Sequence, residues 1–415
     1  MTLERDDAAP AGHLEEGDIA SPPLAGVRVV DLTNVLAGPY CSYQLVLLGA
    51  EVIKVEIPGS GDLARRLGAD EELNEVLLGA SFLAQNAGKK SVEINLKTSE
   101  GRRQFTELVA GADVLLENFR PGVLARLGFS WPELQKINES LIYCAISGFG
   151  QTGPMKDRPA YDQIIQGLSG MMSVTGTPET APLRAGFPVC DTLGGLAAAL
   201  SIAAALAGRA RTGRGCQIDV SLLETAISAM GWVISNFVIT GVVPKPMSNE
   251  NFTAAPSGAF EASDGLLNIS ANQADQFEAL CRTLERIDLF SDPRFRSAAL
   301  RKANRVQLKA ELESALRSRS AAEWEGLLSS AGVPAARVLT VPEVAALDQL
   351  AHRGFFRELP FPDDPGRTVT VVGSGVHFDG APLHATAPPP LLGEQNAEFL
   401  QPAASTSASS AGRDG

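Results

Sequence analysis

The sequence predicts an α/β protein in which a large domain of alternating strands and helices is interrupted by a smaller α+β domain. Three observations predict it. Over the first 160 residues, short β-branched runs alternate with helix-like segments; after that, long helical stretches dominate; near the end, 366–379 (GRTVTVVGSGVHFD), a strand-like pattern returns. Strands separated by ~10–15-residue helices imply βαβ units, a mainly parallel sheet and right-handed crossovers. In such sheets ligands bind beyond the carboxyl ends of the strands.

The elements follow in order. Residues 27–31 (VRVVD) make a β-branched strand, and 40–48 a helix that stops at Gly49 as its C-cap. EVIKVE (51–56) is the second strand and SVEINL (91–96) the third. Thr98-Ser99-Glu100 opens a helix to about Val109, with Thr or Ser as N-cap. Residues 113–117 and 141–146 are further strands. Helices are expected at 161–173, 192–209 and 221–239, then a Pro- and Asn-containing loop at 243–256. A hairpin at 259–271 turns at Ser263-Asp264-Gly265, and helices follow near 273–284, 303–317 and 321–331. The division expected is an acidic disordered leader at 1–24, a large domain at 25–225, a small domain at 226–339, a return to the large domain at 340–400 and a disordered tail at 401–415.

Composition narrows the function. The chain has 415 residues, 45% hydrophobic and 20% charged, enough for a sizeable core, which excludes disorder throughout. A net charge of −13 makes it a poor general ligand for nucleic acid or anionic lipid. Six acids and one Arg in residues 1–24 carry −5 of that charge. The five cysteines form no C-x-x-C pair, which argues against a zinc ribbon or a disulfide framework and for buried thiols in a reducing cytosol. The longest apolar run, LGGLAAALSIAAALAG (193–208), is shorter than the ~20 residues that span a bilayer, and no secretory signal precedes it. A cytoplasmic protein with no membrane and no nucleic-acid partner is expected.

The usual cofactor and catalytic motifs are missing. No G-x-G-x-x-G follows the first strand and no P-loop occurs. The four histidines, His13, His352, His377 and His384, have no metal-ligand spacing, so no metal is expected. No G-x-S-x-G occurs; at the nearest look-alike, Ser147, Ala145 and Phe149 occupy the glycine positions. Carboxylates remain. Asp191, in FPVCDTLGG, reads as the N-cap of the 192–209 helix, ionised at neutral pH, with N–H groups nearby for an oxyanion. Gly194 and Gly195 would let a bulky substrate approach. Asp162, in PAYDQIIQGLSG, also stands at a helix start. Lys and Arg in GSGDLARR (59–66), NAGKKSVEINLKT (86–98) and ENFRPGVLARLGF (117–129) flank strands and could meet a phosphate-bearing ligand, although such residues are usually just solvated.

Taken in order, these segments resemble the class III (CaiB/BaiF-type) CoA-transferases, a group that includes formyl-CoA and carnitine CoA-transferases and, as cousins, α-methylacyl-CoA racemases. The resemblance runs over about 23–400, through PLAGVRVVDLTNVLAGPYCSYQLVLLGAEVIKVEIPGSGD (23–62), NAGKKSVEINLKTSEGR (86–102), ADVLLENFRPGVLARLGF (112–129), LIYCAISGFGQTGP (141–154), RPAYDQIIQGLSGMMSVTG (158–176), DTLGGLAAAL (191–200), RTGRGCQIDVSLLETA (211–226) and PPLLGEQNAEFL (389–400). It implies a Rossmann-like large domain built from both ends of the chain, and an interlocked homodimer. It implies transfer of CoA from an acyl-CoA donor to a small free carboxylic acid, with coenzyme A as substrate and no tightly bound cofactor.

By the same resemblance Asp191 is the nucleophile: it attacks the donor thioester, passes through a mixed anhydride and becomes an aspartyl-CoA thioester. Leu36, Ala37, Asn118 and Phe119 match residues lining the CoA channel. Asn86 and Gly88, with Lys89 and Lys90 beside them, match a loop near the nucleotide, and Arg126 and Arg65 match basic positions. Asp62 matches a turn-holding residue. Tyr161 and Asp162 border the substrate. Racemases resemble this chain at Asp191 but carry His where it has Tyr161, so two-base racemisation lacks a partner. A racemase or a non-catalytic CoA-binding protein are the alternatives. Leu36 stands where the formyl-CoA type has Gln, and NENFTAAPSGAF (249–260) is not Gly-rich; these departures argue against oxalate or formate as substrate. Ile57 stands where some members have Arg, which argues against that one CoA contact. Arg184 could meet a substrate carboxylate.

Overall fold

The structure is a computed structural model that describes residues 22–400. Six strands, β1 (Arg28–Asp31), β2 (Glu51–Glu56), β3 (Lys90–Glu93), β4 (Val114–Glu117), β5 (Ile142–Ser147) and β6 (Cys216–Ser221), form one sheet in the order β3-β2-β1-β4-β5-β6. Every pairing in it is parallel. Its inner strands are near-continuous runs of Val, Leu and Ile because helices cover both faces: Val29, Val30, Ile53, Val114, Leu115 and Leu116 are all fully buried. The mixed α/β expectation holds. The sixth strand, CQIDVS, was not expected. It is an edge strand whose outward residues are polar, so its hydrophobic pattern is weak. Cys216 begins it and is exposed, unlike the other four thiols, which are buried as expected.

The helices of this unit include α1 (Ala37–Leu47), α2 (Ala80–Asn86), α3 (Ser99–Ala110), α4 (Val123–Arg126), α5 (Asp162–Leu168), α6 (Val189–Thr212) and α7 (Leu222–Ala229). Thr98 caps α3, its hydroxyl accepting from the Gly101 amide at 3.0 Å. Phe105 of α3 meets Phe129 edge-on, with ring centroids 4.7 Å apart, in the core beneath the sheet. The stretch expected as one helix over 161–173 is α5 and a separate turn, Met171–Val174, because Gly170 takes φ +83° between them. Helix α6 is longer than its apolar core suggested. At 24 residues it is long and apolar enough to cross a membrane, contrary to the expectation from the 193–208 run. Its buried residues, Cys190, Gly194, Gly195, Ala198, Ala199, Ile202 and Leu206, nevertheless lie on one stripe packed inside this unit.

The chain divides into two compact units. The first comprises residues up to Ser169, Phe187–Ala229 and everything from Gln349; the second is Gly170–Gly186 with Met230–Asp348. Residues 170–186, expected in the large domain, cluster with the second unit, where the Ser248 amide donates to the Gly176 carbonyl at 2.8 Å. That unit contains α8 (Gly231–Thr240) and the antiparallel hairpin β7 (Ser257–Glu261) and β8 (Leu266–Ser270), with β9 (Ala335–Arg337) paired to β8. Helices α9 (Ala274–Thr283), α10 (Arg305–Leu316) and α11 (Ala321–Ser330) close a core of Phe260, Leu267, Phe277, Phe295, Leu312 and Trp324.

The last segment rejoins the first unit. Strands β10 (Phe356–Phe361) and β11 (Asp364–Val372) pair antiparallel, and the Tyr43 hydroxyl donates to the Val372 carbonyl at 2.8 Å. Gln395 and Asn396 side chains accept from the Ser91 and Glu93 amides at 2.7 and 2.8 Å, so the chain end satisfies the open edge of β3. The leader and tail expected as disordered lie outside the described residues, except 22–24. There the Leu24 amide donates to the Leu48 carbonyl at 2.8 Å.

Candidate active site

The strand order reverses direction between β1 and β4, and the loops leaving these two strands part there. That opening is where an open α/β sheet binds its ligand. Two asparagines tie the loops together. The Asn118 side chain accepts from the Asn34 amide at 2.9 Å and donates to the Asn34 carbonyl at 2.8 Å. Next in the β1 loop, Val35 has φ +69°, a strained setting for a β-branched residue, held by its amide bond to Asp62 at 2.9 Å. Leu36 then precedes α1 and Ala37 begins it, buried. Phe119, half-buried against the core, donates its amide to Glu117 at 2.6 Å. Leu36, Ala37, Asn118 and Phe119 are thus brought to one crevice. Asn34, not singled out in the sequence, is the partner that sets it; its only signal is a loop Asn three residues past a strand.

The basic residues divide sharply. Behind the crevice Asp31, Glu56 and Asp62 meet Lys54, Arg65 and Lys89, all buried. Lys54 pairs with Asp62 at 2.8 Å, Arg65 with Glu56 at 2.7 Å and Lys89 with Asp31 at 3.4 Å. Burial would push the Asp31 carboxyl up, but Lys54 and Lys89 hold it below its ordinary range. Burial pushes Lys89 down to about 8 against the pull of Asp31. Arg65 also donates to the Pro390 carbonyl and lies on the Phe82 ring, 3.7 Å from its centroid. Arg65 and Lys89, expected at CoA, are therefore internal counter-charges. Lys90 is displaced for another reason. It begins β3 at the sheet's amino edge, away from the ligand edge, and pairs with Glu51 and Glu398. Asp62 holds its turn as expected, accepting from the Ala64 amide at 2.9 Å.

Arg126 differs from these. It is exposed at the end of α4 and takes part in no ion pair among the described residues. Gly88 takes φ +75°, and a Cβ there would strike Val46. Asn86 is fully buried at the end of α2. Its amide nitrogen donates to the Phe82 carbonyl at 2.8 Å, and its carbonyl oxygen has no partner among the described residues.

Asp191 lies in the first turn of α6, not at its cap. Pro188 is the cap residue and supplies no side-chain bond. The amides of this turn are already occupied: Val189 donates to Phe187 O, Thr192 to Pro188 O, and Cys190 and Asp191 to the Asp162 carboxylate at 2.8 and 3.3 Å. They are not free for an oxyanion, contrary to expectation. Gly194 and Gly195 are not a substrate approach either. Side chains there would collide with Leu222 of α7 and with the Ala37 carbonyl of α1, so these glycines let three helices pack closely. That packing has a consequence for the site. Gly195 lies one turn beyond Asp191, so the start of α6 is seated against the start of α1, beside Leu36 and Ala37.

The Asp191 carboxylate is half-buried and in no ion pair among the described residues. Burial, with the charge of Asp162, pushes it up to about 7, so it is not fully ionised at neutral pH as the sequence suggested. Tyr161 precedes α5 and is 75% exposed. A second buried carboxyl, Glu117 at the end of β4, accepts from the Tyr143 hydroxyl at 2.9 Å and is pushed up to about 7 by burial.

Comparison with known proteins adds to this geometry. The family described as CoA-transferase family III matches residues 24–396. An acetyl-CoA:oxalate CoA-transferase of Acetobacter aceti is 41% identical, over 92% of this chain and 97% of its own length. A succinyl-CoA:glutarate CoA-transferase of Mus musculus is 37% identical, over 91% and 86%. A CaiB/BaiF family protein from Brucella suis has a solved structure that superposes with a TM-score of 0.79 at 36% identity, covering 91% of this chain and 98% of that one.

Proposed function

The chain belongs to CoA-transferase family III, and from that premise we propose that it moves CoA from an acyl-CoA to a small carboxylic acid with Asp191 as the nucleophile. The observation that carries this reading is Asp191 itself: an unpaired, half-buried carboxylate beside the crevice at which the β1 and β4 loops part.

The steps balance without an added proton or oxidant. An Asp191 oxygen bonds to the thioester carbonyl carbon, the C–S bond breaks, and the electron pair leaves on the CoA sulfur, which yields a mixed anhydride. The thiolate attacks the Asp191 carbonyl and expels the donor acid, leaving an Asp191–CoA thioester. The acceptor carboxylate attacks that thioester, and the released thiolate takes the acceptor acyl group and restores Asp191. Asn34 and Asn118 hold the two loops at the crevice. Arg126 is assigned the CoA phosphate in this reading, supported by its exposure and its lack of an ion pair among the described residues, whereas Arg65, Lys89 and Lys90 are paired. The relatives' names bring dicarboxylates into the acceptor set, oxalate included, so the departures from the formyl-CoA type do not exclude it.

The deciding experiment offers the protein acetyl-CoA or succinyl-CoA with oxalate, glutarate or succinate and follows acyl exchange by mass spectrometry. Exchange that disappears in Asp191→Asn supports the reading; full turnover by Asp191→Asn overturns it. Incorporation of solvent deuterium at the α-carbon without exchange would point to racemisation instead. Arg126→Ala should weaken CoA binding about tenfold, less so at high salt, by isothermal titration. An unchanged dissociation constant removes Arg126 from the site. Leu200 on α6 and, in the second unit, Trp232 and Ile239 on α8 are more than two-thirds exposed, which supports a homodimer. Light scattering should give twice the chain mass.

A further inference from the structure

Asp162, expected to border the substrate, is buried with both oxygens engaged. Oδ1 accepts the Cys190 and Asp191 amides, and Oδ2 accepts Gln166 Nε2 at 2.6 Å. We propose that Asp162 is a positioning residue that caps the amino end of α6 from outside the helix and, by its like charge, holds the Asp191 carboxylate in a poorly stabilised state that acylation relieves. The inference rests on the reading of Asp191 as nucleophile.

The physical argument starts at the helix end. The first turn of a helix carries a partial positive charge, and a carboxylate there is normally stabilised as the anion. Asp191 stands in that turn, yet the amides that would favour its charge are bonded to Asp162. The stabilisation therefore goes to the neighbour, and a second negative charge is added to the same end. Titratable groups on the elements around the start of α6 are Cys190 on α6, with Arg209 and Arg211 at its far end, Asp162 on α5, Tyr40, Cys41 and Tyr43 on α1, Glu224 on α7, Tyr143 and Cys144 on β5, and Cys216 and Asp219 on β6. Of these, Asp162 is the one whose charge bears on Asp191, and it acts in the same direction as burial. When Asp191 becomes an anhydride or a thioester its charge leaves on the CoA sulfur or the donor acid, and the repulsion ends. Asp162 thus favours the covalent adduct over the free carboxylate and keeps Asp191 a stronger nucleophile than an ordinary Asp. Gln166, one turn along α5, keeps the capping carboxylate aimed.

The test is Asp162→Asn, which keeps an acceptor oxygen for the Cys190 amide and removes the charge. The Asp191 titration should move down by about one pH unit or more. Two readouts report it: the acid limb of the kcat/KM profile, and, without any turnover, the pH at which the stabilities of Asp162→Asn and Asp162→Asn/Asp191→Asn diverge. The fraction of chain carrying CoA on Asp191 after mixing with acyl-CoA alone should fall several-fold. A purely structural cap would lower stability at every pH and leave the titration in place, and that result overturns the proposal. If Asp162→Asn does not fold, Asp162→Ser keeps a hydroxyl acceptor and makes the same comparison. Loss of turnover in Asp191→Asn with an unmoved titration in Asp162→Asn defeats the role of Asp162 alone. Retained turnover in Asp191→Asn defeats the nucleophile reading itself.

Discussion

Asp191→Asn should lower acyl exchange by roughly 10⁴-fold or more, because the amide cannot attack the thioester to form the proposed covalent intermediate. The same variant should be more stable than the parent at pH 8. The Asp191 carboxyl is raised from an ordinary 3.8 to about 7, so the folded state holds a proton that the unfolded chain has already released. Stability of the parent therefore falls as pH rises between about 4 and 7, and is lowest above 7. Asn has no charge to desolvate. The gain should be at most about 4 kcal/mol at pH 8 and close to nothing at pH 4. Urea unfolding at the two pH values checks it. A variant that is less stable than the parent at pH 8 would mean that the Asp191 carboxylate is stabilised by the fold rather than strained by it. The trade is the usual one at a functional group: the fold tolerates a poorly solvated carboxylate where the chemistry needs it.

Arg65→Met should have the largest effect on stability, about 3–5 kcal/mol, with CoA binding by the folded fraction unchanged. The methionine would fill much of the space over Phe82 but leave Glu56 buried without its bidentate partner. Burial would raise the Glu56 carboxyl; Arg65 and Lys54 more than reverse this and hold it below its ordinary 4.5. The pair's contribution is thus present above about pH 4.5 and lost as pH falls through the lower folded value. The gap between parent and variant should narrow in acid, where Glu56 can take up a proton. A tenfold loss of CoA affinity with unchanged stability would instead return Arg65 to the nucleotide site.

Much of the sheet was legible because its signals are local. EVIKVE forms a strand with the bounds its pattern suggests, and Thr98 caps a helix because a hydroxyl three residues before an amide is enough to do so. The hairpin at Ser263-Asp264-Gly265 was readable for the same reason. The misses have equally definite causes. The edge strand β6 needs only one neighbour and so carries little hydrophobic pattern. The helical run over 161–173 has apolar residues on both sides of Gly170, and periodicity alone does not register a φ of +83°. The extra length of α6 comes from Val189 to Asp191 at one end and Ala210 to Thr212 at the other. A search for unbroken apolar sequence leaves them out.

The site divides along the same line. The sequence by itself determined the local strands β1 to β5 and, through the family resemblance of its motifs, pointed to Asp191 as the residue to test. Only the tertiary structure decided which charges are available. Arg65 meets the carbonyl of Pro390, Lys90 meets Glu398, and Asp162 takes the amides of Cys190 and Asp191, partners 325, 308 and 28 or 29 residues away. The state of an ionisable group depends on its burial and on the charges within a few ångströms, and chain folding sets both. A loop lysine that reads as solvated can therefore be an internal counter-charge, and two glycines that read as open space can be the contact that seats the helix bearing Asp191 against the crevice.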